Sequence, residues 1–339
     1  MAVALCVVSG HPFRVRLVGY RHLPFRFQMQ ELIMKRESLQ FIQAVLPKGR
    51  TVFYDFVDRY ALLLLEQELR AGRRAIADLK RGALAPLLQK PCIRNIMSSV
   101  GRNWLESGDL ILGWPTSYDG YRLTLGSWPD LHEKPSRRWS QVTRWGWSLV
   151  LQLNLPESHK RELAESVPEW SDFVRWSPHP IAGNGELTLA WARIDIDFDT
   201  SEALVEEIQS DWVRDARYYA QPRRYGPAGD WRAYYESVLQ PRAKKWPETM
   251  LTATLWFLFE ELGIETVFYH THETGAELKG IDDPQPPRSL YTDLPRKFCF
   301  RTTHNGPRFI RDAANRELRR RFTDPETKWF IHDFTSRKR

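Results

Sequence analysis

Long apolar runs are missing from this chain of 339 residues. The greasiest stretch, ALLLL at 61–65, falls far short of the roughly 18 residues that cross a bilayer, so no membrane partner is expected. Cysteine is scarce. Cys6, Cys92 and Cys299 lie far apart with no CxxC spacing, which excludes a disulfide framework and a zinc finger and suits a reducing cytoplasm. The opening MAVALCVVSGHP has no basic residue ahead of its short apolar run, so no cleaved signal is expected. There is no GxxxxGK[ST], no GxGxxG, no GxSxG, no spaced Cys-His pairing and no kinase signature. These absences remove several large enzyme classes that depend on those motifs. No internal repeat is visible.

What is present is a chain of 42% apolar content with fourteen tryptophans, enough for a sizeable core and two domains. Most of the tryptophans are expected to be packing residues with a satisfied indole N–H. The net charge of +7 is uneven: residues 1–107 carry 17 Lys and Arg against 8 Asp and Glu, and the remainder is slightly acidic. A basic amino-terminal part fits a polyanion-facing module, and equally a solvated helical surface rich in arginine.

Along the chain, HPFRVRLV alternates like a short strand. From about 28 to 106 apolar residues recur at helical spacing, punctuated by Gly72, Gly82 and Pro86. DLILGWPTSYDGYRLTLGSW predicts a β-hairpin about Tyr-Asp-Gly, and the polar PDLHEKPSRRWS (129–140) a domain boundary. GWSLVLQLNL (146–155) predicts a strand, PESHKRELAES a helix, and VPEWSDFVRW a second short one. LTLAWARIDIDF (187–198) predicts a strand with Ala190, Ala192, Ile194, Ile196 and Phe198 facing the core, and Arg193, Asp195 and Asp197 facing away. EALVEEIQSDW (202–212) is its expected antiparallel partner across a DTSE turn. PETMLTATLWFLFEELG (247–263) predicts a buried helix begun by Pro247 and stopped by Gly263, followed by the strand IETVFYHTHETG. PPRSLYTDLPRKFCFRTT predicts a helical turn and a strand. RFIRDAANRELRRRF predicts a basic amphipathic helix before a frayed TSRKR end.

A strict period of two turns Leu204 and Ile208 one way and Val205, Glu207, Gln209 and Asp211 the other. Carboxylates on an interior strand must be paired or line a cleft. Glu207 is therefore a candidate general base, with Gln209 and Asp211 orienting a ligand. The rival reading is an edge strand with its polar face in water, or carboxylates paired with nearby arginines. His270 and His272, in YHTHE, share one strand face and could pass a proton near neutral pH; no metal is expected there. Arg214 and Arg217, with Arg223 and Arg224, stand among tyrosines and suit a phosphate-bearing ligand, or a solvated loop.

At EEIQSDW (206–212) the sequence resembles an uncharacterised domain of phage and mobile-element large polyvalent proteins. Its further marks are a helix ending in Gly and a Tyr-Asp pair, here Gly263 and Tyr291 with Asp293. More remotely, the order of elements from about 146 to 303 resembles the GNAT acyltransferases. That resemblance implies acyl-coenzyme A as cosubstrate, a pyrophosphate loop at VRDARYYA, and Tyr291 as a general acid. The sequence departs from that family because Ala216 and Ala220 stand where glycines are wanted.

The fold class these observations imply is α+β. A basic, mainly helical domain over 1–128 ends in a hairpin. A GNAT-like α/β domain over 141–304 has a mixed, mostly antiparallel sheet. A basic helix and tail occupy 305–339. The function they imply is a cytoplasmic group-transfer enzyme, an acyltransferase (transferase) using a small phosphate-bearing cosubstrate, in a phage or mobile element. The rival is a non-catalytic nucleic-acid-binding protein using the basic amino-terminal half. A third reading is a protein-gripping assembly factor.

Overall fold

The computed structural model describes residues 36–45, 52–132, 141–144, 146–168, 179–183, 185–222, 229–281, 286–311 and 327–334. The strand expected at 11–18 and most of the helices expected at VPEWSDFVRW (167–176) and RFIRDAANRELRRRF (308–322) lie outside the described residues, as do Arg223 and Arg224.

In chain order the elements begin with α1 (Arg36–Val45), β1 (Val52–Asp55), α2 (Arg59–Leu69), β2 (Arg74–Ala75), α3 (Ile76–Arg81), α4 (Pro91–Val100), β3 (Trp104–Leu105) and β4 (Asp119–Trp128). They continue with β5 (Ser148–Asn154), α5 (Glu157–Ser166), β6 (Thr188–Asp197), β7 (Glu202–Gln209), α6 (Asp211–Tyr219) and α7 (Gln240–Trp256). The last are β8 (Thr266–His270), α8 (His272–Lys279), α9 (Asp293–Lys297), β9 (Arg301–Thr303), α10 (Arg308–Arg311) and β10 (Trp329–Asp333).

Eight strands form one mixed sheet in the order β1-β4-β5-β6-β7-β8-β10-β9. Every neighbouring pair is antiparallel except β7 and β8, which run parallel. A parallel pair needs a long crossover, and residues 211–265, with α6 and α7, supply it. The expected α+β class is met at this level.

One face of the sheet carries the main core. Leu149, Leu151 and Leu153 of β5, Ala190, Ala192 and Ile194 of β6, and Val205 of β7 are fully buried there with Leu251, Ala253 and Leu255 of α7. Each such Leu contributes about 2 kcal/mol by leaving water. Helix α2 (RYALLLLEQEL) is buried around nearly its whole circumference, with Leu62 to Leu65 all at most 2% exposed. It packs against α7.

Several expectations change. The hairpin expected over 109–128 is replaced by a 3₁₀ turn at Ser107–Gly113 that leads into β4. A capping box between Glu106 and Asp109 fixes that turn, and Arg102 Nη2 lies 2.6 Å from both Asp109 oxygens. Gly113 closes it against the core, where a Cβ would come within 2.8 Å of Ile96 and 2.9 Å of Leu62. Strand β4 then pairs with β1 on one side and β5 on the other. The boundary expected at 129–140 thus falls between two neighbouring strands of one sheet, and residues 32–339 make one compact unit.

Helix α7 starts at Gln240, not Pro247. Pro241 and Pro247 both lie inside a helical run, because a π-helical segment at Tyr234–Leu239 leads directly into α7. Phe198, expected in the core, is 46% exposed beyond the end of β6. No strand is expected after the basic helix, yet β10 inserts between β8 and β9.

A candidate acid–base site at the open end of the parallel pair

The central irregularity is a β-bulge. Arg193 pairs with Glu207 and Ile194 with Val205, so Glu206 is an extra residue opposite no partner on β6. The bulge breaks the period of two. Val205 and Ile208 both face the main core, while Glu206, Glu207 and Gln209 all face the other side with Trp191, Arg193 and Asp195. The strict alternation expected for this strand, with Val205 beside Glu207, is corrected accordingly. Pairing with β8 stops at Val205–Tyr269, whereas β7 runs on to Gln209. The two parallel strands therefore part just where the polar residues begin.

An inner cluster fills the parting. Glu206 is fully buried. Its carboxylate accepts from Thr143 Oγ1 (2.8 Å) and Thr143 N (3.2 Å) and faces His270 Nε2 at 3.2 Å. Thr143 Oγ1 also lies 2.9 Å from His270 Nε2. Burial pushes the Glu206 carboxyl up, but the His270 hydrogen bond with Lys279 and Arg193 outweighs it and holds the group ionised. Burial likewise pushes His270 down against the pull of Glu206, leaving a neutral imidazole.

Lys279, buried at the end of α8, donates from Nζ to the backbone carbonyl of Glu206 at 2.9 Å and lies 3.8 Å from Glu207 Oε2. Arg193 Nη2 lies 2.6 Å from Glu207 Oε2 and 2.8 Å from the Gln141 carbonyl. Asp195, raised by burial and then by Glu206, sits near Arg144. This is a charge-balanced interior network, and it makes Glu207 a counter-ion.

An outer cluster lies at the end of β7. Asp211, buried at the first position of α6, receives His179 Nδ1 at 2.8 Å, Gln209 Nε2 at 2.6 Å and Arg214 Nη2 at 2.7 Å on one oxygen. Trp191 Nε1 donates to the other at 2.9 Å. Burial raises the Asp211 carboxyl, but the hydrogen bonds from His179 and Trp191 outweigh it and hold it below its ordinary range. An ionised aspartate on Nδ1 fixes the imidazole tautomer and directs Nε2 as the reactive nitrogen. His179 is 29% exposed at its side chain, Asp211 6%. The pair joins a buried orienting acid to a base that solvent or a substrate can reach.

The candidates read from sequence thus divide. Gln209 and Asp211 come together with Arg214. Glu207 goes to the inner cluster, held by Arg193. His270 and His272 do not share a strand face: β8 ends at His270, because Thr271 caps α8 by accepting Thr274 N on its hydroxyl, and His272 opens that helix. His272 Nε2 points to the Pro286 carbonyl at 3.2 Å. Tyr291 is 2% exposed, packs on Tyr269 with ring centroids 5.6 Å apart, and is pushed further up by burial. It is an enclosed phenol in the core. Arg217 is exposed on α6, three residues beyond Arg214.

The hexapeptide EIQSDW can be accounted for side chain by side chain. Glu207 pairs with Arg193, Ile208 fills the core, and Gln209 braces Asp211. Ser210 caps α6 through Val213 N (3.1 Å) and donates to the Leu189 carbonyl (2.5 Å). Asp211 holds His179, and Trp212 Nε1 donates to the Tyr234 hydroxyl at 2.8 Å. Sequence reasoning misses Glu206, Trp191 and His179. The signal for His179 is its place between Pro178 and Pro180 in SPHPIAG, a histidine on a stiffened loop.

Comparison with protein-family models, with curated proteins and with solved structures returned no match.

Proposed function

We propose that the sheet and its crossover form a group-transfer enzyme whose acid–base centre is His179 held by Asp211. The observation that carries this reading is the 2.8 Å contact between His179 Nδ1 and Asp211, with the far carboxylate oxygen fixed by Trp191. His179 Nε2 takes the proton from an acceptor hydroxyl or amine as that group attacks the donor, and Asp211 stabilises the imidazolium that forms. The same nitrogen returns the proton to the leaving group. Arg217, and Arg214 through the donors it does not spend on Asp211 and Asp215, are neighbours on α6 and hold a phosphate-bearing cosubstrate.

Acyl transfer from acyl-coenzyme A is the version of this reading that the element order supports. Helix α5 lies between β5 and β6, β6 and β7 are antiparallel, the long buried α7 leads to β8, and Tyr291 precedes α9 and β9. The first turn of α6 already holds Ser210 and Asp211, so phosphate contact falls to the arginine side chains and not to backbone N–H groups. The EIQSDW resemblance adds a setting in a phage or mobile element.

Calorimetric titration with acetyl-coenzyme A tests the donor. Saturable binding weakened about tenfold by combined R214A and R217A supports it, an effect of about 1.4 kcal/mol; no heat at saturating ligand removes it.

A second reading, binding of nucleic acid without catalysis, is favoured by a cationic patch around Trp104. Arg102 lies 3.7 Å and Arg73 5.2 Å from that ring, and Lys80, Arg81 and Arg94 are exposed nearby in sequence. Against it, Arg70, Arg74, Arg81, Lys90 and Arg102 are already paired with carboxylates. Binding to a labelled oligonucleotide that weakens steeply with added salt would favour it.

A further inference from the structure

His179 sits at the start of a segment that the sheet grips through a closed ring of hydrogen bonds. Ala182 N donates to Thr188 Oγ1 at 2.9 Å, and Thr188 Oγ1 donates to Asn154 Oδ1 at 2.8 Å. Asn154 Nδ2 donates to Thr124 Oγ1 at 2.8 Å, and Thr124 Oγ1 donates to Gln152 Oε1 at 2.7 Å. Gln152 Nε2 then donates to the Pro180 carbonyl at 2.9 Å. The circuit leaves the loop at residue 182, crosses β6, β5 and β4 on the polar face, and returns to the loop at residue 180.

Every member is satisfied in one direction. Each hydroxyl donates once and accepts once, and each amide uses its oxygen and its nitrogen on different partners. Chains of this kind polarise one another and rigidify a single arrangement. Gln152, Asn154 and Thr188 are at most 5% exposed, so water does not compete for them. Gly126 makes the space: a Cβ there would lie 3.1 Å from Gln152 Nε2. The bond from Ile181 N to the His179 carbonyl, 2.8 Å, carries the constraint one residue back.

We infer that Gln152 and Thr188 are positioning residues that hold His179 against Asp211 by fixing residues 180–182 to the sheet. They touch neither imidazole nor carboxylate, and they act through the loop backbone. This inference rests on the His179–Asp211 centre proposed above. It deepens that reading by naming what keeps the imidazole from swinging away when its hydrogen bond to Asp211 opens.

The test reads the imidazole and not turnover. In the full chain labelled with ¹⁵N, at about pH 8 where a free histidine is neutral, the His179 Nδ1–H signal is identified by its absence in H179Q. D211A is expected to abolish it. Q152L and T188V are expected to lose it or broaden it beyond detection while still melting cooperatively; T188S, which keeps the hydroxyl, retains it. Should Q152L fail to fold, T188V and T188S give the same comparison. Retention of the signal in both Q152L and T188V, with loss in D211A, overturns the positioning role and leaves the centre standing. A signal unchanged in D211A overturns the centre itself.

Discussion

The ammonium of Lys279 donates a 2.9 Å hydrogen bond to the backbone carbonyl of Glu206, the residue that the bulge leaves without a partner on β6. Where β7 and β8 stop pairing, a side chain from α8 thus replaces a strand neighbour. The same nitrogen lies 3.8 Å from Glu207, so one cation serves a displaced peptide and a carboxylate.

Replacing Lys279 by Met is expected to destabilise the protein by about 1–3 kcal/mol, because a buried carbonyl loses its donor while Glu207 keeps Arg193. R214A, removing a cation 57% exposed at its side chain, is expected to cost under about 1 kcal/mol. Urea denaturation of both variants checks the contrast. Equal, small effects would show that Lys279 is not the structural cation described.

H179A is expected to lower group transfer by about 10²–10⁴-fold, the usual worth of a general base, with only a small fall in melting temperature, since Asp211 keeps Trp191, Gln209 and Arg214. D211N, which keeps the side-chain shape but loses the charge, is expected to fall in the same range. E207Q is expected to lose stability first, since Glu207 neutralises Arg193. Turnover assays with acyl-coenzyme A and a panel of amines, run beside thermal melts, separate these outcomes.

Asp55 is pushed up to about 6 by burial, eased by a 2.7 Å hydrogen bond from Thr249 Oγ1 and raised again by Glu248. A carboxyl whose folded pKa is raised binds more protons folded than unfolded between about 4 and 6. Its contribution is complete below the unfolded pKa and is lost as pH rises through the folded one. D55N should therefore stabilise the protein at about pH 8 by up to about 3 kcal/mol and change little near pH 4. Denaturation midpoints at the two pH values decide it; stabilisation that is equal at both would contradict the assignment.

His159, fully buried, contacts the Tyr234 hydroxyl at 2.7 Å and is pushed down to about 4 by burial and then by Arg242. The sign is opposite to that of Asp55. The unfolded chain binds the extra proton between about 6.5 and 4, so this contribution is complete above the unfolded pKa and is lost as pH falls. H159Q should remove up to about 3 kcal/mol of the acid sensitivity in that window. A wild-type-like slope in that variant would assign the acid sensitivity to other groups.

Much of the sheet is legible in the sequence. The alternation of β6 places Arg193 and Asp195 on one face and Ala192 and Ile194 on the other, and the structure agrees. What escapes is the single inserted residue in β7. Glu206 and Glu207 are chemically alike, and a bulge is defined by the partner strand, which local pattern does not contain. Three of the five residues of the candidate site are legible, Gln209, Asp211 and Arg214, because they are close in sequence. His179 and Trp191 stand 32 and 20 residues away from Asp211 and are joined to it only by folding. His272 goes astray because a threonine cap, set by tertiary geometry, ends β8 one turn early.

The placement of β10 bears on how the molecule is made. Among the described residues β9 has β10 as its sheet neighbour, and β8 meets β10 along its whole length opposite β7. A ribosome that has delivered residues 301–303 has therefore delivered a strip with nothing to bond. His270 also lacks the indole of Trp329 that lies 5.0 Å from its ring. Residues 329–333 therefore complete this end of the sheet and bring the Trp329 indole against His270 only after both of their neighbouring strands have been made.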